Sequence, residues 1–186
     1  MPQMTNVQGI KIRDRIEEML GKADADEFAD ALPLSKSADY IRKFKWAKDV
    51  CNYLDSKYTP EQIKTLRMSC ACHPGDKEKE NTKRIYNESK SLAEFCKKYN
   101  SEYENMHPVW HEGNAIENCA ALFFSYPTCY CSCVKRVNEP ISPTWCLCTL
   151  GYTKDLFDYV LGCDTEVELL ESIKTGGNRC VMKITR

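Results

Sequence analysis

The pairing of the cysteines constrains this chain more than any other feature. Seven of the twelve lie between Cys129 and Cys180. Most fall in Cys-x-Cys groups: Cys70/Cys72, Cys129/Cys131/Cys133 and Cys146/Cys148. Chance would scatter twelve thiols more evenly. Such pairs suit either shared metal ligation or burial as small hydrophobes. Which reading applies depends on the compartment. The stretch Met1 to Ile12 lacks the basic-apolar-small order of a secretory signal. No apolar run approaches the roughly 20 residues that a membrane span needs. These features place the chain in the cytoplasm, where a disulfide framework is disfavoured. The net charge of −1 is well mixed, as in Lys77-Glu78-Lys79-Glu80. It argues against nucleic acid and against an anionic membrane as partner.

The first half of the chain has helical spacing. Ile12, Ile16, Met19 and Leu20 recur along Ile10–Leu20, and Asp24 to Ala31 suggests a second short helix before Pro33. Residues 1–36 therefore form a polar helical extension, solvated or reaching a second copy in a homodimer. Residues 37–186 form the cysteine-rich domain. Ser37 is placed to cap a helix running to about Tyr58, with Phe44, Ala47, Val50, Cys51 and Leu54 on its apolar face. Thr59-Pro60-Glu61-Gln62 is a capping box with proline at the first helical position. Ile63, Leu66 and Arg67 follow, and that helix ends at Cys70-Ala71-Cys72-His73 before a Pro74-Gly75 turn. Lys77 to Asn100 reads as one further helix.

Beyond Ser101 the period changes. Pro108 and Trp110 suggest an edge strand over Met106–Glu112, and Glu112-Gly113-Asn114 a turn. Ala115 to Phe124 is a strand or a short helix. His107 and His111 carry little weight as ligands, because Pro108 breaks the helix on which they would share a face. On a strand, Cys129, Cys131 and Cys133 would all point to one side. A helix from Pro143 to Leu161, stopped by Gly162, would hold Cys146 and Cys148 in its first turns. Asp164–Lys174 and Arg179–Thr185 read as strands joined at Thr175-Gly176-Gly177-Asn178.

The candidate metal ligands are Cys70, Cys72, Cys131, Cys133, Cys146 and Cys148, with Cys129 and His73 in reserve. About four thiolates suit one Zn²⁺ ion, and also an iron–sulfur cluster. The Cys-x-Cys spacing departs from the Cys-x-x-Cys of zinc ribbons. Two alternatives stand beside the metal. One is a thiol-rich core with no ion. The other is nucleophilic chemistry by a thiolate near a helix start.

The last third also carries a resemblance. Leu150-Gly151-Tyr152-Thr153-Lys154, Phe157, Leu161-Gly162, Glu166-Val167-Glu168, Gly176-Gly177 and Arg179-Cys180-Val181-Met182-Lys183-Ile184 resemble the end of a vinyl-reductase-type ligand-binding domain. The whole chain is similar in pattern to an uncharacterised cysteine-rich bacterial family related to aminothiazoline-carboxylate hydrolase-like proteins. The resemblance implies an α+β fold with a cavity for a small hydrophobic ligand. Some members of the family resemble zinc-binding sensors. By position Cys180 matches the hairpin cysteine, while Ser172 stands where a partner cysteine is often found. Gly177 and Met182 replace the usual Asp and Phe. A zinc site would then come from the cysteines between Cys129 and Cys148.

The expectation is thus an α+β protein. A helical N-terminal half packs on an antiparallel sheet, and the chain closes with a helix and then a β-hairpin. The expected function is zinc-thiolate-dependent binding or sensing of a small molecule, with Tyr152 and Trp145 lining its cavity. The alternative is a metal-dependent hydrolase acting on a small heterocyclic or amide substrate, where zinc with one open position activates water.

Overall fold

The computed structural model describes residues 4–104, 106–112 and 121–186. The turn expected at Gly113-Asn114, the segment from Ala115 to Ala120 and the His111 side chain lie outside the described residues. The chain is α+β and divides into two compact units. Unit 1 comprises residues 1–71 and 130–148, and unit 2 comprises residues 72–129 and 149–186.

Unit 1 is helical. Its elements are α1 (Val7–Leu20), α2 (Lys22–Ala31), α3 (Tyr40–Lys57), α4 (Pro60–Ser69) and the short α7 (Pro143–Cys146). The first two helices are not a solvated extension. Ile12, Ile16, Ala25 and Phe28 are fully buried, because both helices carry enough apolar residues on one face to join the core. Asp39, not Ser37, caps α3, accepting from the Arg42 N–H at 2.8 Å. The capping box on α4 forms as expected, with Thr59 and Gln62 exchanging hydrogen bonds.

Unit 2 holds α5 (Asp76–Asn87), α6 (Leu92–Glu102), the four strands and α8, which spans Cys148–Leu161 and lies in this unit from Thr149 on. The single helix expected over Lys77–Asn100 is broken, because Ser91 caps a new one by accepting from the Glu94 N–H at 3.1 Å. The strands β1 (Val109–Glu112), β2 (Ala121–Tyr126), β3 (Glu166–Glu171) and β4 (Cys180–Thr185) form an antiparallel sheet of order β1-β2-β4-β3. β1 is an edge strand, as its proline predicts. Asn100 on α6 holds it through two 2.8 Å bonds to the Val109 backbone. The helix stops at Gly162, whose φ is 66°, and β3 and β4 then close the chain as antiparallel neighbours. Phe157 of α8 packs edge-on against Phe124 of β2, with ring centres 5.5 Å apart. Among the described residues no helix is long and apolar enough to cross a membrane.

Candidate thiol site

The site in unit 1 is built around Arg67 on α4. Ile63, Leu66, Arg67 and Cys70 share the helical stripe that faces inward, so the helix carries its guanidinium into the core along with its apolar residues. Arg67 is only 2% exposed. Burying a guanidinium is costly unless its donors find acceptors. Here Nη2 donates to Trp145 O at 2.8 Å and Nε to Thr144 O at 3.3 Å. The guanidinium carbon stands 4.5 Å from the centre of the Trp145 ring, a cation–π stack. Nη1 has no hydrogen-bond partner among the described residues. Burial works against the Arg67 charge. The thiols of Cys148, Cys70, Cys51 and Cys131 more than offset this and raise its pKa.

The short helix α7 presents those carbonyls, and its own position is held by α3. Asp55 accepts from the Thr144 hydroxyl at 2.6 Å and from the Ser142 hydroxyl at 3.2 Å. Trp46 meets Trp145 edge-on at 5.8 Å. Asp55→Ala is expected to lower stability by about 1 kcal/mol, the net worth of such bonds at an exposed carboxylate. Urea unfolding checks this. An unchanged midpoint would mean that water serves both hydroxyls equally well.

The other side of the Trp145 ring system serves a thiol. The indole N–H donates to Cys131 Sγ at 3.2 Å. Cys131 does not lie on a strand, contrary to the expectation from the alternating cysteines. Its carbonyl instead accepts from the Val134 and Lys135 N–H groups at 3.1 and 2.9 Å, so residues 131–135 close a single turn. That turn brings Cys133 back on Cys131. A hydrogen bond from the Cys133 thiol is the largest influence favouring the Cys131 thiolate. Burial opposes ionisation there. The Trp145 N–H, the Cys133 backbone N–H and the Arg67 charge act with the Cys133 thiol, and together they push Cys131 down to about 6. Cys133 is pushed up, by the same hydrogen bond, by burial and by the neighbouring thiolate. Neither cysteine is in a disulfide.

The remaining thiols behave differently. Burial pushes Cys51 up to about 12 and Cys96 up to about 11, and it also raises Cys70 at the C-cap of α4. Cys146 is buried in α7, and Cys148 begins α8 after Leu147 interrupts the single helix expected there. The Cys148 thiol donates to Trp145 O at 3.7 Å. Cys72 is exposed and belongs to unit 2, as does the half-buried Cys129. His73 is committed elsewhere, with Nδ1 3.0 Å from Asp155 Oδ2. Of the six cysteines expected as ligands, Cys131 and Cys133 share one turn. Cys70, Cys131 and Cys148 share the field of Arg67. Among the described residues no three His, Cys, Asp or Glu side chains are grouped so as to hold an ion.

A second polar cluster lies in unit 2. The Tyr152 hydroxyl donates to Glu78 at 2.7 Å, and the rings of Tyr126 and Tyr152 meet at 6.2 Å. Burial raises the phenol pKa values of Tyr99, Tyr126 and Tyr152. Tyr152 is thus tied to a carboxylate, and Trp145 is core with one polar edge committed to a sulfur.

Arg67 is the candidate residue that the sequence pattern does not single out. Its signal was available: a cation at the i+4 position from Ile63 in an otherwise apolar stripe. A buried cation among thiols stabilises thiolate, which is the reactive form. Comparison with known proteins adds a family and no activity. No curated protein matches the chain. Over residues 1–186, its whole length, the chain belongs to DUF6144, a family of unknown function.

Proposed function

We propose that the protein works through the Cys131/Cys133 dithiol, as a redox-active thiol protein of a reducing compartment such as the cytoplasm. One observation carries this reading: the Trp145 indole N–H donates to Cys131 Sγ at 3.2 Å, in the same turn, closed on the Cys131 carbonyl, that holds Cys133. A donor on the sulfur stabilises the anion that attacks, and the second thiol lies two residues away on the same turn. Closing the disulfide from a Cys131 thiolate and a Cys133 thiol passes two electrons and one proton to an acceptor, whose second proton comes from solvent. The dithiol and disulfide forms are two states of one turn. Sensing, expected from the sequence, fits this reading, with the small-molecule oxidant as the ligand that is sensed.

The test uses the reduced full chain and diamide, an azo compound that takes up the two electrons and two protons as it becomes a hydrazine. Digestion and mass spectrometry should map one new disulfide, Cys131 to Cys133. A different pair, or none, would overturn the proposal. The rival reading is the thiolate metal site, and elemental analysis of protein purified without oxygen or a His tag addresses it. About one zinc per chain, lost in Cys131→Ser, would replace the dithiol reading.

A further inference from the structure

Resting on that dithiol reading, we infer that the oxidant is a hydroperoxide and that Arg67 Nη1 holds the oxygen that it delivers to Cys131. The inference starts from the unpaired donor. Nε and Nη2 of Arg67 are fixed on two backbone carbonyls, and the guanidinium lies over the Trp145 ring. It therefore cannot turn to satisfy Nη1 without breaking those contacts. A buried, charged N–H left without an acceptor is destabilising, and native structures seldom keep one without a use. The same indole that carries the guanidinium donates to Cys131 Sγ. Arg67 and the sulfur are therefore held by one rigid ring system. Sulfur is a weak acceptor. An oxygen bonded to that sulfur is a strong one, and it extends beyond the sulfur's own reach. The thiol state leaves Nη1 unserved, and a sulfenic acid or sulfenate at Cys131 would serve it.

The chemistry balances with the peroxide as the two-electron acceptor. The Cys131 thiolate attacks one peroxide oxygen and the O–O bond breaks. Cys131 becomes a sulfenic acid, and the leaving alkoxide takes the proton of the Cys133 thiol to become an alcohol. Cys133, now a thiolate, attacks the Cys131 sulfur. The S–S bond forms and hydroxide leaves to solvent, where the buffer neutralises it. Cys131 is partly exposed, so a small peroxide can reach it from solvent. Cys133 is buried and sits two residues from the sulfur that it must attack, on the turn closed by the Cys131 carbonyl.

The experiment compares hydrogen peroxide with diamide on the reduced full chain, following closure of the Cys131–Cys133 disulfide. Peroxide is expected to close it at least about tenfold faster than it oxidises a free thiolate of equal basicity, the factor that one charge-assisted hydrogen bond supports. In Cys133→Ser, dimedone should trap the sulfenic acid on Cys131. Arg67→Lys keeps the charge and loses the fork. It should lower the ratio of the peroxide rate to the diamide rate by about tenfold. An unchanged ratio in a folded Arg67→Lys variant would remove Arg67 from the step. If that variant does not fold, the rate of the unaltered chain and the dimedone adduct decide. Closure by diamide with a peroxide rate no better than that of a free thiolate of equal basicity would overturn the inference and leave the dithiol reading standing. Closure by neither oxidant would end both.

Discussion

Arg67→Ala is expected to lower the stability of unit 1 by about 3–5 kcal/mol. Three contributions add in one direction. The substitution leaves the carbonyls of Thr144 and Trp145 without their Arg67 donors, in buried surroundings. It removes the cation from the face of Trp145. It also opens a cavity between α4 and α7 that small neighbours cannot fill. One contribution opposes them, because the desolvation of the charge and of its unpaired Nη1 is relieved. Urea unfolding followed by tryptophan fluorescence is the measurement, since Trp46 and Trp145 both report on unit 1. A loss below about 1 kcal/mol would mean that relief of the buried charge nearly cancels the lost contacts.

The second large effect is a pH profile. Cys131 alkylation by iodoacetamide should follow a titration with a midpoint of about 6. An ordinary thiol titrates at about 8.5, so at pH 6 roughly half of Cys131 is thiolate against well under 1% of a free cysteine. A less basic thiolate is also a weaker nucleophile, by about an order of magnitude for this difference in pKa. The two factors leave Cys131 about tenfold faster than free cysteine at pH 6, with the advantage gone by about pH 7.5. Cys51 and Cys96, pushed up to about 12 and about 11 by burial, should stay unlabelled throughout this range. A Cys131 midpoint above 8 would show that the donors around its sulfur do not stabilise the anion. In Trp145→Phe, which loses the indole donor, the midpoint should rise.

Much of the helical half was legible because its signals are local. Thr59 and Gln62 sit three residues apart, and their capping box needs nothing else from the chain. Gly162 ends α8 for an equally local reason, a positive φ that favours glycine. The break between α5 and α6 was missed because Ser91 was read as part of a continuing helix, whereas a serine beside a glutamate three residues on is also a start signal. The cysteines of 129–133 misled in another way. Alternation places side chains on one face only if the backbone is extended, and nothing in the pattern shows that it is. The turn closes through the Cys131 carbonyl, which every sequence possesses. For Arg67 the oddity was visible and the reason was not. Its acceptors lie 77 and 78 residues further along the chain, a distance at which no local pattern carries information.

That separation has a consequence for the way the protein is made. The first seventy-one residues of unit 1 leave the ribosome before any of residues 130–148 exist. At about 5–20 residues per second, the wait from Arg67 to Trp145 is on the order of 4–16 s. Throughout it the guanidinium has neither carbonyl nor indole, and it must stay hydrated. Closure of the early helices over the stripe that carries Arg67 is therefore expected to wait until α7 arrives. A nascent chain stalled before residue 130 should then be open to protease across α4 and become resistant once residue 148 has emerged.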